Sequence, residues 1–469
     1  MSTNSYGKDV AMQGIARVIG GLLSFFAIFF FTYVFNEGEL GEYNLILATV
    51  NIVTSITTLW LSQSVLRYYD DQKELGNIIV LCLLCSMICF AVYTGYCVVA
   101  NTRLSFSVYF YIFVLVLYNV FDAVYRRSRK LLSYVLLELI HAIGRIFPMI
   151  VIAIYTHDYN SIFLSQGIVV SLFFAVEAIR NRDVLVANNY KLNIDLLRQY
   201  LHFGLPLVGL SISNWFLTTS DRYVIKFLGD IEQVGIYSTN YSLANSIYLM
   251  FALILVNAMH PIIMRKWEDD KKGAMIIVSN TLNQYLMLML PLVFYGCLKS
   301  DILLSLFKGD SYSSHYGVFV WTALGVFVHG ISLLCHKYYE CIQKTNQILL
   351  VNIIAAIFNI VANFILIPII GFEAAAFTTF LSYVLYTIII RVRTHNKFVI
   401  KIDIKNLCVE IVALALFFAV DRFLNFDSLF SFFIEGFLFV IYVLIVYQIF
   451  KVFNSIELIG KKFGGKSHS

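Results

Sequence analysis

The stretch "FGLPLVGLSISNWFLTTSDRYVIKFLG" (residues 203–229) is apolar over most of its length, yet it contains an adjacent aspartate and arginine, Asp221 and Arg222. A helix of about 20 mostly apolar residues is long enough to cross the roughly 30 Å hydrocarbon core of a membrane. The whole 469-residue chain shares this character, because 59% of its residues are hydrophobic, 13% are charged and its mean hydropathy is +0.78. Soluble domains have an apolar share of about 45–50%. The sequence therefore predicts an integral membrane protein.

Short polar gaps divide the chain into fourteen predicted transmembrane spans. These segments lack the alternation of apolar and polar residues typical of membrane strands, and they exceed the roughly 10 residues of a tilted strand. An all-α fold is therefore predicted rather than a barrel. The predicted spans are residues 12–35, 43–66, 77–99, 105–125, 131–155, 161–179, 203–228, 236–263, 274–296, 316–338, 348–370, 374–390, 406–420 and 428–450.

The lysines and arginines are unevenly distributed between the two sides of the membrane. Of the 34 basic residues, about 27 fall on the side with both termini and about 6 on the other side. The positive-inside rule therefore predicts that both termini are cytoplasmic. The most basic loops on the predicted cytoplasmic side are "RRSRK" (126–130), "RNR" (180–182), "RKWEDDKK" (265–272) and "RVRTHNK" (391–397).

The chain contains an internal repeat. The segment "ELGEYNLILATVN" (39–51) follows the first span, and "QVGIYSTNYSLAN" (233–245) follows the seventh, so the two occupy equivalent positions. Two six-helix lobes of the same orientation are therefore predicted, residues 1–195 and 196–395, followed by a terminal helix pair and basic tail at 396–469. At one offset of 194 residues, Gly41 matches Gly235, Tyr43 matches Tyr237 and Asn51 matches Asn245.

Polar side chains inside the predicted spans lie in rows at helical spacing. A charge near the centre of a membrane helix costs roughly 2.5–3.5 kcal/mol on insertion scales, so such a side chain normally faces a cavity or a partner. Span five carries Glu138, His141 and Arg145; span seven carries Ser211, Asn214, Thr218 and Asp221; span eleven carries Asn352, Asn359 and Asn363; and span two carries Asn51, Ser55, Thr58 and Ser62.

Each row also has a purely structural interpretation. Ser, Thr and Asn rows join neighbouring helices by hydrogen bonds, and Glu138 with Arg145 could staple two helices together. Arg17, in the inner half of span one, could snorkel to the membrane interface. Asp221 is expected to face the protein interior, whereas Arg222, turned by about 100° around the helix, either snorkels outward or pairs with another helix.

One nucleotide-binding pattern lies in the carboxyl-terminal tail. The segment "GKKFGGKS" (460–467) matches the phosphate-binding P-loop pattern, but that motif needs a preceding strand and a following helix. Here it follows a membrane span, so it is interpreted as a solvated basic tail. The prediction is a protein that is not an enzyme, without catalytic residues, cofactor, metal site or nucleic-acid partner. Two related lobes are the arrangement expected of a transporter, and without a nucleotide site transport would use an ion gradient, the membrane potential or consumption of the substrate on the far side.

The segment "YLHFGLPLVGLSISNWFLTTSDRYVIKFLGDIEQVGIYSTNYSLA" (200–244) resembles the start of the second half of bacterial polysaccharide transporters. These are the flippases for O-antigen, capsule and related repeat units. Two more segments are similar to that family, "LGEYNLILATVNIVTSITTLWLSQSVLRYY" (40–69), although members often have glycine where Trp60 stands, and "NIIAAIFNIVANFILIPIIGFEAAAFTTFLSY" (352–383). The matched positions in the first segment are Pro206, Asp221, Arg222, Gly235 and Tyr237.

The resemblance implies the multidrug and oligosaccharidyl-lipid exporter superfamily, in which two lobes surround a central cavity with alternating access. The implied substrate is an undecaprenyl-pyrophosphate-linked oligosaccharide in the bacterial inner membrane. The implied energy source is H⁺ or Na⁺ coupling, and the implied partners are the polymerase and chain-length proteins of the same pathway. "ARVIG" places Arg17 where lipid II flippases of this superfamily have an arginine.

A pyrophosphate needs cationic partners and sugars need hydroxyl and amide partners. Arg17 and Arg145 are therefore predicted to contact the pyrophosphate, and Asp221 and Arg222 to shape the outer end of the cavity. The other predicted substrate-binding residues are Glu138, His141, Asn51, Asn214, Thr218, Asn359 and Asn363. Three other functions stay open: a lipid II flippase, an ion-coupled multidrug exporter of the same fold, and an O-antigen polymerase or ligase.

Overall fold

The structure, a computed structural model, describes residues 23, 25–69, 74–144, 155–156, 158–188, 190–424 and 429–450. Within these ranges the chain forms fourteen helices of ten residues or more, four short connecting helices and no strand. The longer helices are α1 (Phe25–Val34), α2 (Glu37–Tyr68), α3 (Leu75–Ala100), α4 (Phe106–Arg127), α5 (Leu131–Gly144), α6 (Asn160–Arg180), α7 (Ile194–Leu228), α8 (Ile231–Asp269), α9 (Lys271–Leu298), α10 (Tyr316–Cys335), α11 (Thr345–Ile370), α12 (Ala374–Thr394), α13 (Ile404–Leu424) and α14 (Leu429–Ile449). The short ones are Arg182–Ala187, Ser300–Leu304, Asp310–Ser314 and Lys337–Cys341.

Each of the fourteen predicted spans overlaps one of these helices, although residues 12–22 of span one and 145–154 of span five lie outside the described residues. The predicted all-α integral membrane fold is confirmed. In the described part of the chain, ten helices are long and apolar enough to cross a membrane. The other four are α1, α5, α7 and α13. The described parts of α1 and α5 are short, and undescribed residues adjoin both of them. The helix α7 carries a polar row, and α13 carries acidic side chains among its apolar ones.

Side-chain caps explain why α2 and α7 begin before the predicted spans. Asn36 accepts a hydrogen bond from the backbone N–H of Glu39 at 2.9 Å, and the Glu39 carboxylate accepts one from the N–H of Asn36 at 2.9 Å. This reciprocal capping box satisfies backbone donors that a helix start leaves free. At the start of α7, the Asn193 side chain accepts from the N–H groups of Asp195 and Leu196, both at 3.1 Å.

The chain divides into two compact units, a first unit of Met1–Ser238 and a second unit of Thr239–Ser469, with the boundary inside α8. In the first unit α2 packs against α3, α4 and α7, while α6 packs against α4 and α5. A Cβ built on Gly204 would lie 2.2 Å from the Trp60 carbonyl oxygen. The glycine that allows close packing where α2 and α7 cross therefore belongs to α7. The facing position of α2 carries the large Trp60, where members of the similar family often have glycine. The lobe boundary after residue 195 stays a prediction.

The repeated glycines form a symmetric contact between α2 and the start of α8. The first residue of α8, Ile231, comes 194 residues after Glu37, the first residue of α2. A Cβ on Gly41 would lie 2.1 Å from the carbonyl oxygen of Ile231, and a Cβ on Gly235 would lie 1.8 Å from that of Glu37. Each glycine therefore lets the first turn of the other helix approach its backbone, as small residues do between membrane helices.

In the second unit α12 packs against α10 and α11, and α9 packs against α10 and α13. The connection before α13 is tied to α9 by hydrogen bonds. The amide of Asn283 donates to the carbonyl of Lys401 at 3.2 Å, and its oxygen accepts from the N–H of Asp403 at 2.9 Å. These bonds satisfy two backbone groups of an irregular segment and hold it against α9 just before α13 begins.

Candidate functional site

The predicted pyrophosphate ligands Arg17 and Arg145 lie outside the described residues. Arg145 would follow directly on Gly144, the last residue of α5. The other predicted site residues are described, and they belong to different units. Glu138, His141, Asn51, Asn214, Thr218, Asp221 and Arg222 lie in the first unit, and Asn359 and Asn363 lie in the second.

The polar row of α5 is held by side chains from α4 and α6. The imidazole of His141 stacks on the ring of Tyr118, with centroids 4.2 Å apart, and the amide nitrogen of Gln166 lies 2.9 Å from His141 Nε2. The carboxylate of Glu138 lies near the hydroxyl of Tyr118. Glu138 and His141 are half-buried, whereas Gln166 is buried. The structure therefore brings both predicted residues into one network that spans three helices.

The helices α2 and α7 are joined side by side by polar contacts. The indole N–H of Trp215 donates to the carbonyl of Ala48 at 3.2 Å, and the hydroxyls of Thr49 and Tyr223 lie 2.6 Å apart. Because these groups are satisfied between the two helices, they fix which faces of α2 and α7 remain outside the interface.

An exposed polar stripe lies on these two helices. Asn51 and Asn214 are exposed, and Ser55 and Thr218 are half-buried. Asn51 is one turn from Ala48, and Asn214 is next to Trp215, so both amides lie close to the α2–α7 contact. Exposed amides at membrane depth are costly against lipid and normally face a water-filled cavity or a partner. We call these four residues the amide stripe.

Asp221 and Arg222, in contrast, form a closed cluster. The hydroxyl of the fully buried Tyr237 donates to the Asp221 carboxylate, which also accepts from the N–H of Arg222 at 3.0 Å. The Arg222 guanidinium lies 3.6 Å from that carboxylate and donates to the carbonyl of Thr218 at 3.2 Å. Arg222 is itself buried, so it pairs within the protein rather than snorkelling outward.

This cluster gives a prediction that uses the internal repeat as its control. Changing Tyr237 to phenylalanine removes the hydroxyl that satisfies Asp221 and should lower the free energy of unfolding by about 1–3 kcal/mol. Tyr43, its repeat partner, is buried but has no hydroxyl hydrogen bond within the described residues, so Tyr43→Phe should change stability by less than about 0.5 kcal/mol. Thermal unfolding of both purified variants is the measurement. Equal losses would show that the Tyr237 bond contributes nothing.

In the second unit, the asparagine row of α11 is satisfied by threonines of α12. The amide nitrogen of Asn359 donates to the hydroxyl of Thr379 at 3.1 Å, and the amide of Asn363 donates to the Asn359 oxygen at 3.3 Å. The hydroxyl of Thr378 donates to the Asn363 oxygen. All four side chains are buried, which is the arrangement expected of hydrogen bonds that join helices. A substrate role for Asn359 and Asn363 stays a prediction.

The structure adds one cationic residue that the sequence reasoning did not select. Arg67, in the last turn of α2, is exposed, and its guanidinium carbon lies 4.4 Å from the ring centroid of Phe203 and 5.3 Å from that of Tyr68. Stacking holds a guanidinium in place through its face and leaves its N–H edges available for an anion. Phe203 lies 136 residues further along the chain. The sequence therefore showed a basic residue at the end of a predicted span, but not the ring on which it stacks.

A second feature that was missed is an ionic cluster in the second unit. The Lys299 ammonium lies 2.5 Å from the Asp421 carboxylate and 3.0 Å from that of Glu435, and all three side chains are buried. These contacts join the end of α9 to α13 and α14. Within the described part of the chain, no group of three His, Cys, Asp or Glu side chains is placed to hold a metal ion.

Comparison with known proteins gives two family matches. The model of the family described as "Polysaccharide biosynthesis protein" matches residues 6–267, and the MatE family model matches residues 206–365. A curated relative, the "Probable low-salt glycan biosynthesis flippase Agl15" of Haloferax volcanii, is 20% identical over 194 residues. That match spans 41% of this chain and only 41% of the relative's length.

Solved structures show the same fold at low sequence identity. The lipid II flippase MurJ in an inward closed conformation superposes with a TM-score of 0.75 and 14% identity, covering 95% of this chain and 99% of MurJ. A MATE transporter of Vibrio cholerae superposes with a TM-score of 0.56 and 14% identity, covering 84% of this chain and 97% of that transporter. At such identities the likeness concerns the fold alone.

Proposed function

We propose that this chain, which belongs to the polysaccharide biosynthesis protein family, moves an undecaprenyl-pyrophosphate-linked oligosaccharide from the cytoplasmic to the outer leaflet of a bacterial inner membrane. At the coarser level the chain is a multi-pass membrane transporter of the superfamily that includes polysaccharide flippases and MATE exporters. The substrate, the membrane and the orientation with cytoplasmic termini belong to the proposal. So does a role in O-antigen, capsule or another surface polysaccharide.

The amide stripe is the observation that carries the proposal. Asn51 and Asn214 present exposed amides at membrane depth on two adjacent helices, beside the hydroxyls of Ser55 and Thr218. An amide offers two donors and one acceptor oxygen, and a hydroxyl offers one donor and two acceptor sites. These groups can replace the water that surrounds the hydroxyls of a sugar, which a purely apolar surface cannot do.

Three arginines are proposed to receive the pyrophosphate. Arg67 carries an exposed guanidinium stacked on Phe203 at the end of α2, the end that the basic-residue distribution predicts to be cytoplasmic. Arg17 and Arg145 are proposed on the sequence alone. An arginine binds phosphate oxygens in pairs and stays charged at any accessible pH, which suits a headgroup that must leave water.

The remaining predicted residues have supporting roles in this proposal. The network of Glu138, His141 and Gln166 holds α5 in place next to Arg145, and the closed cluster of Asp221 and Arg222 shapes the outer end of α7. Coupling to H⁺ or Na⁺, and cooperation with a polymerase and a chain-length protein, are further parts of the proposal that rest on the family resemblance.

The proposal is tested by deleting the gene and measuring which lipid-linked glycan is no longer exported. Asn51→Leu and Asn214→Leu should each lower the restored export about tenfold, because a leucine cannot bond a sugar hydroxyl. Asn51→Gln and Asn214→Gln keep the amide and should retain most of the export. All four variants should accumulate normally, since both positions are exposed.

Three results would contradict the proposal. A deletion that leaves every surface glycan unchanged but raises sensitivity to cationic drugs would favour a multidrug exporter. Export of lipid II rather than of a repeat unit would favour a peptidoglycan precursor as the substrate. Wild-type export by both leucine variants would show that the amide stripe does not contact the sugar.

A further inference from the structure

A crevice of about 260 Å³ lies in the first unit between α3, α4 and α6. Its walls are mostly apolar and include Leu83 of α3, Leu117 and Phe121 of α4, and Phe174 of α6. Leu83 is 48% exposed and Ala178 is also exposed, so the crevice opens on the surface of the helix bundle between α3 and α6. Because these helices cross the membrane, this opening faces hydrocarbon.

An apolar occupant suits this crevice better than water. An engineered apolar cavity of about 150 Å³ stays dry and binds small hydrocarbons, and this crevice is larger. The lining residues of α3 run from Leu75 to Leu83, which corresponds to roughly 12 Å of helix measured inward from the membrane face. An extended hydrocarbon chain that enters from the adjacent leaflet would follow this direction.

The end of the crevice nearest the membrane face, which we call its mouth, is cationic. Lys130 lines it, is exposed, and has no carboxylate partner within the described residues. Arg127 is held close by, because its guanidinium donates to the carbonyl of Tyr69 at 2.7 Å and Tyr69 is also a lining residue. Ser128 and Asn181 add hydrogen-bonding groups at the same end.

The acidic residue of the lining does not cancel this charge. Glu177 is buried, and its carboxylate lies 3.1 Å from the guanidinium of Arg180 and accepts from the amide of Asn181 at 3.3 Å. Since Glu177 is paired, Lys130 is left to attract an anion. A mouth with a net positive charge above an apolar crevice has the charge pattern of an anionic amphiphile.

We propose that this crevice binds an acyl chain of an anionic phospholipid from the adjacent leaflet, with the lipid phosphate held at the mouth by Lys130. The occupant is a resident lipid rather than the transported molecule. The crevice includes no residue of α7 and none of the amide stripe, and α2 contributes only Tyr69, just past its end. The site is therefore separate from the surface proposed for the sugar.

The test uses the purified full-length chain, native mass spectrometry, and phosphatidylglycerol or phosphatidylcholine with the same acyl chains. Phosphatidylglycerol should bind at least about fivefold more tightly, since one lysine near a membrane surface contributes about that factor toward an anionic lipid. Lys130→Gln should remove this preference without changing phosphatidylcholine binding. Lys191→Gln is the matched control, because Lys191 is exposed and lies outside the crevice.

A second pair of variants tests the acyl-chain site. Ala178→Trp fills the opening and should lower the binding of phosphatidylglycerol at least tenfold. Ala175→Trp places the same side chain at an exposed position of α6 outside the crevice and should leave binding unchanged. Unaltered thermal unfolding of both tryptophan variants confirms that they are folded.

Three outcomes would overturn the proposal. They are equal binding of the two lipids by the wild-type chain, unchanged phosphatidylglycerol binding by Ala178→Trp, and displacement of phosphatidylglycerol by stoichiometric undecaprenyl phosphate. The last result would assign the crevice to the polyprenyl chain of a transported molecule. None of these measurements depends on transport, so their failure is distinguishable from failure of the proposed function.

Discussion

Replacing Gly235 by leucine is expected to prevent accumulation of folded protein, whereas the same replacement at Gly95 should leave it at the wild-type level. A Cβ on Gly235 would lie 1.8 Å from the carbonyl oxygen of Glu37, and that oxygen belongs to the first turn of α2. A backbone atom in a helix cannot rotate away as a side chain can. The two helix ends must therefore separate, at an expected loss of about 3 kcal/mol or more.

Gly95 is the matched control because a Cβ built there meets no atom within 4 Å. It lies inside α3, where leucine is a better helix former than glycine by roughly 0.5–1 kcal/mol. The measurement is the yield and the thermal unfolding of each variant after purification in detergent. Gly41→Leu should behave as Gly235→Leu does, since the contact is symmetric. Normal unfolding of both would show that the helix ends are not tightly packed.

Replacing Arg67 by alanine is expected to lower the affinity for undecaprenyl pyrophosphate at least about tenfold, while the affinity for undecaprenol stays unchanged. The reason is that charge-assisted hydrogen bonds to a phosphate contribute only when the ligand carries one. Arg67 is exposed and is held by ring stacking on Phe203, so its removal should leave the fold intact. Binding of the two lipids to the purified protein is the measurement.

Further variants separate charge from geometry at this position. Arg67→Lys keeps the charge but loses the planar fork and should restore the affinity only in part. Phe203→Leu removes the stacking that orients the guanidinium and should cause a smaller loss than Arg67→Ala. Arg103, an exposed arginine beyond the end of α3, is the matched control for the loss of one charge.

The outcome of these measurements decides which arginines receive the headgroup. Unchanged affinity in Arg67→Ala would remove this residue from the proposed site. The same assay applied to Arg17→Ala and Arg145→Ala tests the two positions that were chosen from sequence alone. If only those two variants lose pyrophosphate binding, Arg67 is not part of the headgroup site.

The polar rows of the helices could be predicted from local sequence because helical periodicity is a local property. The spacing of Glu138 and His141 places both on one face of α5, and the structure shows both in one network with Tyr118. The spacing did not reveal the partners, because Tyr118 and Gln166 belong to other helices. The neighbours of a side chain depend on which helices pack together, and a single helix does not carry that information.

The sequence by itself determined the membrane class and the helical fold, and within the described residues each predicted span overlaps a helix. These follow from the length of apolar segments and from the need of a backbone in lipid to bond within its own helix. The tertiary structure alone decided which polar rows are buried and hydrogen-bonded to a neighbouring helix and which remain exposed. Asn359 and Asn363 are sealed by the threonines of α12, whereas Asn51 and Asn214 stay exposed beside the α2–α7 contact, although all four looked alike in sequence. The physical reason is that burial and hydrogen-bond satisfaction depend on the facing helix, which the chain supplies from a distant segment.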